Sequence, residues 1–559
     1  MLPLAFCALA ASMLSRAPEP HGLSDVGARV DAIFREYDRT DSPGCALGVY
    51  RDGSILAARG YGMANLELGV AISPQTVFDI GSTSKQFTAL SIHLLAREGK
   101  LSLDDDVRRW IPEVPDYGKK ITIRNLLHHT GGLRDYIELM DLQGVQTEDL
   151  TTDQDALQII SRQKAPNFAP GDQHLYSNTG YFLLSVVVRR ASGRTLRDFA
   201  AERIFVPLGM RHTQYNDAHA RIIPGRATGY RKAEGGGFEI DMSDWEQTGD
   251  GAVQTTVEDL SRWDQNFYEP RVGDRELVAE MQVPGVLNSG KKLTYASALV
   301  LGAYRGLPIV SHGGSWAGYR AQLLRFPEQK FSVACLCNVG NANPTALAQK
   351  VAEVYLGDRM QPEPRSSQEA APRDSRPRLS ADQLRRFAGS YRDPASGMVL
   401  VLSVEQNKLT AELQGRRFVL APVAPDRFIS EDARVRQEIT FEPTRAGRPH
   451  VRLRSEGEDE AELFEPIELW KPSEADLAEF GGDYASEEID TTWRIVFENG
   501  RLFIRHRGFP SDPLRPTIPD AFTINGIQLA FDRSPSRAIT GFHLDAGRVR
   551  AIAFTKRSG

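Results

Sequence analysis

Short apolar runs and segments of helical period alternate in the N-terminal part of the chain, from about residue 22 to residue 358. A β-hairpin is predicted in CALGVYRDGSILAARGYGMAN, because two strand-like runs meet at Asp52-Gly53, a pair typical of two-residue hairpin turns. A helix is predicted in SKQFTALSIHLLAREGKL, where apolar residues such as Phe87 and Leu90 recur at helical spacing. Strands and helices mix without a strict βαβ rhythm, so this region is predicted to be an α+β domain.

The pattern changes at residues 359–378, where RMQPEPRSSQEAAPRDSRPR is rich in proline, serine and charge and is predicted to be a linker. Beyond it the helical periods nearly disappear, and short strands alternate with turn residues. The chain is therefore divided into a leader (1–21), the α+β domain (22–358), the linker (359–378) and two β modules (379–470 and 471–559).

The two β modules are copies of one repeat. DQLRRFAGSY, which begins at Asp382, recurs as ADLAEFGGDY from Ala475. Five residues recur at a shift of 93 positions and two at a shift of 94: Leu384, Phe387, Gly389, Tyr391 and Leu409 as Leu477, Phe480, Gly482, Tyr484 and Leu502, and Asp426 and Phe428 as Asp520 and Phe522. One opening helical turn and about eight short strands per copy predict a small closed antiparallel barrel, because closure leaves no exposed sheet edge.

The first residues, MLPLAFCALAASMLSRAPEPHG, hold an apolar run from Leu2 to Leu14 that ends in a polar stretch with proline. This pattern is typical of a secretory signal peptide and predicts a periplasmic or secreted protein. No Lys or Arg precedes the apolar run, as a signal peptide would normally have. Two alternatives therefore stay open: the start of the sequence is placed too late, or the segment is a helix that is not exported. The sequence does not assign a cleavage site.

Composition limits the partners. The 559 residues carry a formal net charge of -6 and no basic stripe, which gives no support for a nucleic-acid partner. No stretch after the leader is long enough to span a bilayer. The partner expected is a small-molecule or short-peptide substrate, and the sequence leaves the oligomeric state open.

No cofactor or metal is expected. The four cysteines, which are Cys7, Cys45, Cys335 and Cys337, have no metal-ligand spacing. Cys335 and Cys337 alternate in FSVACLCNV, which is predicted to be a buried strand, so both are interpreted as small core residues rather than partners in a bridge. His128 and His129 are adjacent, and adjacent side chains point apart on a regular element.

A serine and a lysine three residues apart carry the first chemical signal. Ser82 and Lys85 in DIGSTSKQFTAL lie on neighbouring turns at the start of the predicted helix, so the amine can reach the hydroxyl. A serine needs a base to act as a nucleophile, and a lysine can be that base only if burial or neighbouring charge lowers its pKa. The alternative is two polar residues that open a helix.

Two further stretches supply the groups that this pair lacks. Tyr176 and Asn178 stand two apart in APGDQHLYSNTGYFLLS, where a tyrosine can move protons and an asparagine can bind an amide or hold the lysine. In VSHGGSWAGYRAQLLRF, His312 precedes Gly314 and Ser315 beside strand sequence. Glycine at a strand edge lets a substrate backbone approach and leaves N–H groups available. Trp316 and Tyr319 in this stretch either line the cleft or are aromatic residues of the core.

The order Ser-x-x-Lys, Tyr-x-Asn, His-x-Gly resembles the serine β-lactamase and penicillin-binding fold, in its branch of class C β-lactamases, D-alanyl-D-alanine carboxypeptidases and D-aminopeptidases. ITIRNLLHHTGGL, IFVPLGMRHT, GDGAVQTTVEDLSRW and NVGNANPTALAQKVAEVYLGD support the resemblance, which covers about residues 25 to 358. It implies an antiparallel sheet with helices and a helical subdomain. Two barrels after such a domain resemble the layout of bacterial D-aminopeptidases.

The resemblance also implies roles for the residues. Ser82 would be acylated, and Lys85 and Tyr176 would share the proton transfers. Asn178 would contact the substrate amide, and the N–H groups of Ser82 and Ser315 would form the oxyanion hole, which Gly314 leaves accessible.

His312, placed with the catalytic residues, stands where β-lactamases of this fold have a lysine. This departure weakens a β-lactamase interpretation, because the fixed charge of that lysine helps to bind the antibiotic carboxylate.

The predicted function is amide hydrolysis of D-aminopeptidase type through an acyl-enzyme on Ser82. A carboxylesterase or weak β-lactamase of the same fold stays open, and so does a non-catalytic binding protein that senses cell-wall fragments. One further hypothesis concerns RHRGFPSDPLRPTIPDAF, residues 505–522, whose prolines suit a projecting loop. Asp512 in that loop either recognises the α-amine of a substrate or is a solvated residue of a stiff barrel loop.

Overall fold

A computed structural model of the chain describes residues 21–362, 377, 379–394, 396–431, 437–444, 447–455, 461–509 and 511–557. The predicted leader, apart from His21, and most of the predicted linker lie outside the described residues. Among the residues that the structure does describe, we find no helix with the length and apolar character that crossing a membrane requires.

The N-terminal domain is built from thirteen strands and eleven helices within the described residues. Its strands are β1 Cys45–Arg51, β2 Ser54–Tyr61, β3 Met63–Asn65, β4 Val70–Ala71, β5 Phe78–Asp79, β6 Gln214–Tyr215, β7 Tyr230–Lys232, β8 Phe238–Ile240, β9 Val253–Thr255, β10 Val300–Tyr304, β11 Leu307–Trp316, β12 Tyr319–Phe326 and β13 Phe331–Cys337. Its helices are α1 His21–Ile33, α2 Lys85–Arg97, α3 Ile123–Leu127, α4 Tyr136–Gln143, α5 Asp153–Ser161, α6 Asn178–Ser192, α7 Leu196–Ala200, α8 Val206–Leu208, α9 Val257–Asn266, α10 Arg275–Glu280 and α11 Pro344–Leu356. Short turns of other helical types cover Gly81–Ser84, Val107–Arg109, Ala201–Phe205, Pro327–Gln329 and Gly357–Arg359.

A six-stranded antiparallel sheet forms the centre of this domain, in the order β10-β11-β12-β13-β1-β2. The predicted hairpin is confirmed, since β1 and β2 pair across Asp52 and Gly53, whose φ angles of 50° and 75° suit a tight turn. Side chains of β1 alternate between two cores. Leu47 packs with α1 and α11 on one face, whereas Tyr50 packs with the helical side on the other.

The predicted helix is confirmed as α2, which begins at Lys85 after the turn Gly81–Ser84 and ends before Gly99. The helix packs against α6 and α7, and its residues from Lys85 to Leu95 are all buried. A helix that is covered on every side holds its first turn firmly. Lys85 is the first residue of that turn, and Ser82 lies in the short turn just before it.

Two closed eight-stranded antiparallel barrels follow, as the repeat predicted. The first contains α12 Ala381–Arg385 and β14 Gly389–Arg392, β15 Val399–Glu405, β16 Lys408–Leu413, β17 Arg416–Ala424, β18 Arg427–Ser430, β19 Gln437–Glu442, β20 His450–Ser455 and β21 Glu462–Ile467. The second contains α13 Glu474–Ala478 and β22 Gly482–Ser486, β23 Thr491–Glu498, β24 Arg501–Arg505, β25 Pro513–Pro516, β26 Ala521–Ile524, β27 Ile527–Arg533, β28 Ile539–Ala546 and β29 Val549–Lys556.

The repeated residues make the same contacts in both barrels. The Tyr391 hydroxyl donates to Phe387 O at 2.9 Å, and the Tyr484 hydroxyl donates to Phe480 O at 2.7 Å. Each pair joins the opening helical turn to the first strand of its barrel. The recurrence therefore reflects a shared packing requirement.

The barrels differ in how they meet the N-terminal domain. The core of the second barrel is continuous with the core around α2 and α6, whereas the first barrel has a separate core. The Trp493 indole N–H donates to Leu142 O at 3.1 Å, and Arg134 forms a buried ion pair with Glu488. The second barrel is thus packed against the domain that carries the predicted catalytic residues.

The interpretation of the cysteines is wrong in one respect. FSVACLCNV does form a buried strand, β13, but Cys337 is joined by a disulfide to Cys45. These two residues are direct partners on β13 and β1, with Cα atoms 4.0 Å apart. They are 292 residues apart in sequence, and only the sheet order makes them neighbours.

Cys45, Cys335 and Cys337 also form the one group of three possible metal ligands among the described residues. Two of these sulfurs are used in the disulfide and cannot be thiolate ligands.

We expect reduction of the Cys45–Cys337 disulfide to lower the free energy of unfolding by about 2–5 kcal/mol, the usual effect of removing a native bridge, because the bridge restricts the unfolded chain. Guanidinium titrations of wild type and Cys45→Ser would measure the change, and Cys335→Ala, which leaves the bridge intact, is the control. Peptide mapping that finds Cys45 and Cys337 both as free thiols would contradict the assignment.

Candidate active site

The local fold around Ser82 depends on two glycines. Gly81 has a φ of +48°, and a Cβ there would lie 2.6 Å from Ser315 N. At Gly314 a Cβ would lie 1.9 Å from Ile80 O and 3.2 Å from Ser82 N. Only glycine allows β11 to approach the start of α2 so closely. The approach brings the backbone of Ser82 and Ser315 together, as an oxyanion hole made from their N–H groups would require.

Lys85 is fully buried and makes three hydrogen bonds. Its Nζ donates to Ser82 Oγ at 3.1 Å, to Asn178 Oδ1 at 2.8 Å and to the backbone oxygen of Asp250 at 2.6 Å. Burial lowers the pKa of Lys85 to about 7, against the opposing effect of the Asp250 and Asp135 carboxylates. The amine therefore exchanges its proton near neutral pH, within reach of the serine hydroxyl.

Tyr176 lies over the same amine, with Lys85 Nζ 4.9 Å from the centre of its ring. Its hydroxyl is buried and makes no hydrogen bond of normal geometry within the described residues. Burial raises the pKa of Tyr176, and Ser82 opposes the rise. A neutral phenol at this position can donate a proton to a leaving group, whereas the lysine is the stronger candidate for accepting one.

Asn178 holds the lysine from the start of α6. Its backbone N–H donates to Asp135 Oδ2 at 2.6 Å, and its side-chain oxygen accepts from Lys85. Asp135 is itself fully buried and caps the start of α4. Of the two roles considered for the asparagine, holding the lysine is the one that these contacts show.

His312 lies on β11 in the wall of the cleft. Its Nδ1–H donates to Gly313 O at 2.7 Å, so Nε2 accepts from the Tyr295 hydroxyl at 3.0 Å. Burial and the charge of Lys85 together lower the pKa of His312 to about 4, against the opposing effect of the hydrogen bond to Gly313. The ring is therefore neutral at pH 7 and supplies no fixed positive charge. His129, by contrast, packs behind the Tyr176 ring and accepts from Ser177 N.

One cleft of about 590 Å³ gathers the predicted residues. Six of them line it directly: Ser82, Tyr176, Asn178, His312, Gly314 and Ser315. Lys85 donates hydrogen bonds to two of these residues, Ser82 and Asn178. Trp316 also lines the cleft, whereas Tyr319 is buried. The structure thus brings residues from three distant stretches of sequence to one place.

The second barrel contributes a residue that the sequence did not indicate. Arg548, in the turn between β28 and β29, lines the cleft and lies 5.8 Å from the centre of the Tyr176 ring. Its guanidinium contacts Asp135 Oδ2 at 3.2 Å and Glu138 Oε1 at 2.7 Å. An isolated arginine in a barrel hairpin carries no recognisable pattern, so no signal in the sequence could have found it.

Asp512 lies elsewhere. It lines a groove between the two barrels with Glu412 and Arg515, and it accepts from Asn525 Nδ2 at 3.4 Å. The hypothesis that this aspartate recognises a substrate amine in the cleft is not supported by this position. Asp520, which both modules share, pairs with Arg533 inside its barrel.

Comparisons with known proteins concern the family and the fold of the chain. A family model described as Beta-lactamase matches residues 30–357. A D-aminopeptidase of Cereibacter sphaeroides is 26% identical over 545 residues, which cover 94% of this chain and 99% of the relative.

Two solved structures share the fold. The octameric penicillin-binding protein homologue from Pyrococcus abyssi has a TM-score of 0.56 at 23% identity, and the match covers 79% of this chain and 100% of that protein. The D-amino acid amidase from Ochrobactrum anthropi has a TM-score of 0.52 at 23% identity and covers 60% of this chain and 99% of its own. At such identities the two structures support the fold alone.

We expect Ser82→Ala to abolish covalent labelling by a fluorophosphonate while folding is retained. Lys85→Ala and Tyr176→Phe should each slow labelling by about 10²-fold, the usual scale for acid–base groups. Stopped-flow or gel-based labelling rates would measure the effects, with circular dichroism as the test of folding. A Lys85→Ala protein that is labelled at the wild-type rate would remove the lysine from the chemistry.

Arg548→Met should move the acidic limb of the labelling rate to higher pH. The Arg548 charge lowers the pKa of Lys85, whereas the Asp135 carboxylate raises it. Arg548 also forms an ion pair with Asp135 and so offsets the effect of that carboxylate. Loss of the arginine therefore raises the pKa of Lys85, and the neutral amine forms only at higher pH. Profiles between about pH 5 and pH 9 would measure the shift around the Lys85 value.

Arg550→Met on the same hairpin is the matched control, because Arg550 contacts the exposed Gln173. Arg548→Lys should restore most of the wild-type profile. A lower rate with an unchanged pH profile would mean that Arg548 only fastens the barrel.

Proposed function

The chain belongs to the β-lactamase family, and we propose that it is a serine hydrolase of D-aminopeptidase type that cleaves amide bonds through an acyl-enzyme on Ser82. One observation carries the proposal: Ser82 Oγ lies 3.1 Å from a buried lysine amine with a pKa of about 7. A lysine with an ordinary pKa would be protonated and could not act as a base.

In the acylation step, neutral Lys85 accepts the proton of the Ser82 hydroxyl as Oγ attacks the substrate carbonyl. The negative charge that develops on the carbonyl oxygen is stabilised by the N–H groups of Ser82 and Ser315. Tyr176 donates a proton to the leaving amine and is reprotonated from Lys85. Water then attacks the ester of Ser82 by the same route in reverse, which releases the acid and restores the serine.

The choice of an amide substrate over a β-lactam is supported by His312. The ring is neutral at pH 7 because its pKa is lowered to about 4, so this position does not supply the fixed cation that a lysine would offer to the carboxylate of an antibiotic. The D-aminopeptidase relative, which matches nearly the whole chain including both barrels, supports the same choice.

We also propose that the protein is exported. The disulfide between Cys45 and Cys337 supports this, because disulfides persist in oxidising compartments such as the bacterial periplasm. The apolar segment from Leu2 to Leu14 supports it independently. Fractionation of cells that express the full chain, with mass spectrometry of the mature N-terminus, tests the proposal.

We expect wild type to hydrolyse D-amino-acid amides at least about tenfold faster than their L-enantiomers, and to hydrolyse nitrocefin slowly or not at all. A single preparation is assayed with D- and L-alanine p-nitroanilides, a D-Ala-D-Ala peptide, a short p-nitrophenyl ester and nitrocefin. Ser82→Ala should lose every activity, whereas Ser192→Ala, at the far end of α6, is the matched serine control.

Fast nitrocefin turnover would contradict the amide preference. Turnover of the ester alone would make the protein an esterase of the same fold. A wild type that neither turns over nor becomes labelled at Ser82 would leave a non-catalytic binding protein.

A further inference from the structure

A second cavity of about 50 Å³ adjoins the Ser82 cleft. The two share Ile137, Asp250 and Trp316 in their walls. We call it the side cavity and define it by six of its lining residues: Asp79, Asn216, Trp245, Asp250, Gln254 and Trp316. The polar side chains of the side cavity take no part in the hydrogen bonds of Lys85 or in the oxyanion hole. Lys85 contacts only the backbone oxygen of Asp250.

Two hydrogen-bond acceptors in the side cavity lack a donor. Gln254 is 3% exposed, and its Oε1 accepts no hydrogen bond from any described residue. Its Nε2 donates to Asp79 Oδ2 at 2.7 Å, which fixes which end of the amide is unpaired. Asn216 Oδ1 is likewise buried and unpaired within the described part of the chain. Buried acceptors without donors are costly, so these two oxygens are suited to a ligand that brings N–H groups.

Carboxyl groups line the same space. Burial raises the pKa of Asp79 to about 6 and that of Asp250 to about 6, although Gly81 N–H and Lys85, respectively, oppose the rise. Arg226 also lines the side cavity and lowers the pKa of Asp79. The side cavity therefore offers two carboxyls as counter-charges to a bound cation, beside the guanidinium of Arg226 and with Lys85 acting on Asp250.

Aromatic faces complete the wall. Trp245 and Trp316 meet edge to face, with ring centres 5.4 Å apart. Such rings favour a cation over an anion because their faces are electron-rich. The main cleft has the opposite character, since Arg320 and Arg548 line it.

We propose that the side cavity binds a primary ammonium group of the substrate, with Asn216 Oδ1 and Gln254 Oε1 as acceptors and the Asp79 and Asp250 carboxyls as counter-charges. The proposal rests on the proposed function, because it gives the amide substrate a free amine. The ammonium comes either from the α-amine or from a basic side chain, since both present the same group. The side cavity is small enough to take the end of such a chain and no more.

Binding to the full-length Ser82→Ala protein tests the proposal without turnover. Calorimetry at about pH 6.5, where an α-amine is mostly protonated, compares two near-isosteric pairs. D-alaninamide against D-lactamide reports the α-ammonium, and N-acetyl-D-lysinamide against N-acetyl-D-norleucinamide reports the side-chain ammonium. We expect one ammonium probe to bind about tenfold more tightly than its neutral partner, as for a hydrogen bond to a charged group. The pair that shows the preference identifies the source.

Substitutions in the wall then assign the preference to the side cavity. Asn216→Leu, added to Ser82→Ala, should reduce the ratio between the two probes about fivefold, and Asn216→Asp should increase it. Gln254→Met removes the second acceptor and gives an independent test if an Asn216 variant fails to fold. Gln158→Leu, an exposed amide on α5 that does not line the side cavity, is the amide control and should leave the ratio unchanged.

Equal affinities within both pairs would overturn the proposal. A preference that survives Asn216→Leu and Gln254→Met would also overturn it, because the ammonium would then bind elsewhere and the side cavity would hold water. These results leave the hydrolase intact, since turnover and labelling of wild type at Ser82 are measured separately.

Discussion

The proposed catalytic centre depends on the burial of one lysine amine. Lys85 Nζ joins three segments that are far apart in sequence, through Ser82 Oγ, Asn178 Oδ1 and the backbone oxygen of Asp250. A buried ammonium is costly, and this cost lowers the pKa of the lysine to the range in which it can act as a base. Two features keep that amine in place and away from solvent. The helices α6 and α7 enclose α2, and β11 approaches closely at Gly314.

Charge around the lysine is balanced by groups from different parts of the fold. Asp135 and Asp250 favour the ammonium form, whereas Arg548 favours the neutral amine. Arg548 comes from the second barrel, whose core is continuous with that of the N-terminal domain. The barrel is therefore a structural part of the candidate active site, and its hairpin places the Arg548 charge beside Asp135.

The cleft and the side cavity differ in electrostatic character although they share a wall. Two arginines, from β12 and from the second barrel, line the cleft with the shared Asp250, while Asp79, Asp250, one arginine and two unpaired amide oxygens line the side cavity. A substrate with an amine at one end and a carbonyl or carboxylate at the other would be oriented by this separation. Orientation of this kind contributes to catalysis because it fixes the reacting carbonyl against the nucleophile.

The sequence by itself determined the elements and the chemistry that local patterns carry. The hairpin at Asp52-Gly53, the helix after Ser82 and the repeated barrels were predicted, because periodicity, turn residues and internal repetition are properties of neighbouring positions. The motif residues could be named from their types and order, and the structure brings them to one cleft. Only the tertiary structure decided the Cys45–Cys337 disulfide, the low pKa of Lys85 and the presence of Arg548 in the cleft. Each depends on which distant segments become neighbours and on how much water they exclude, and no local pattern records either.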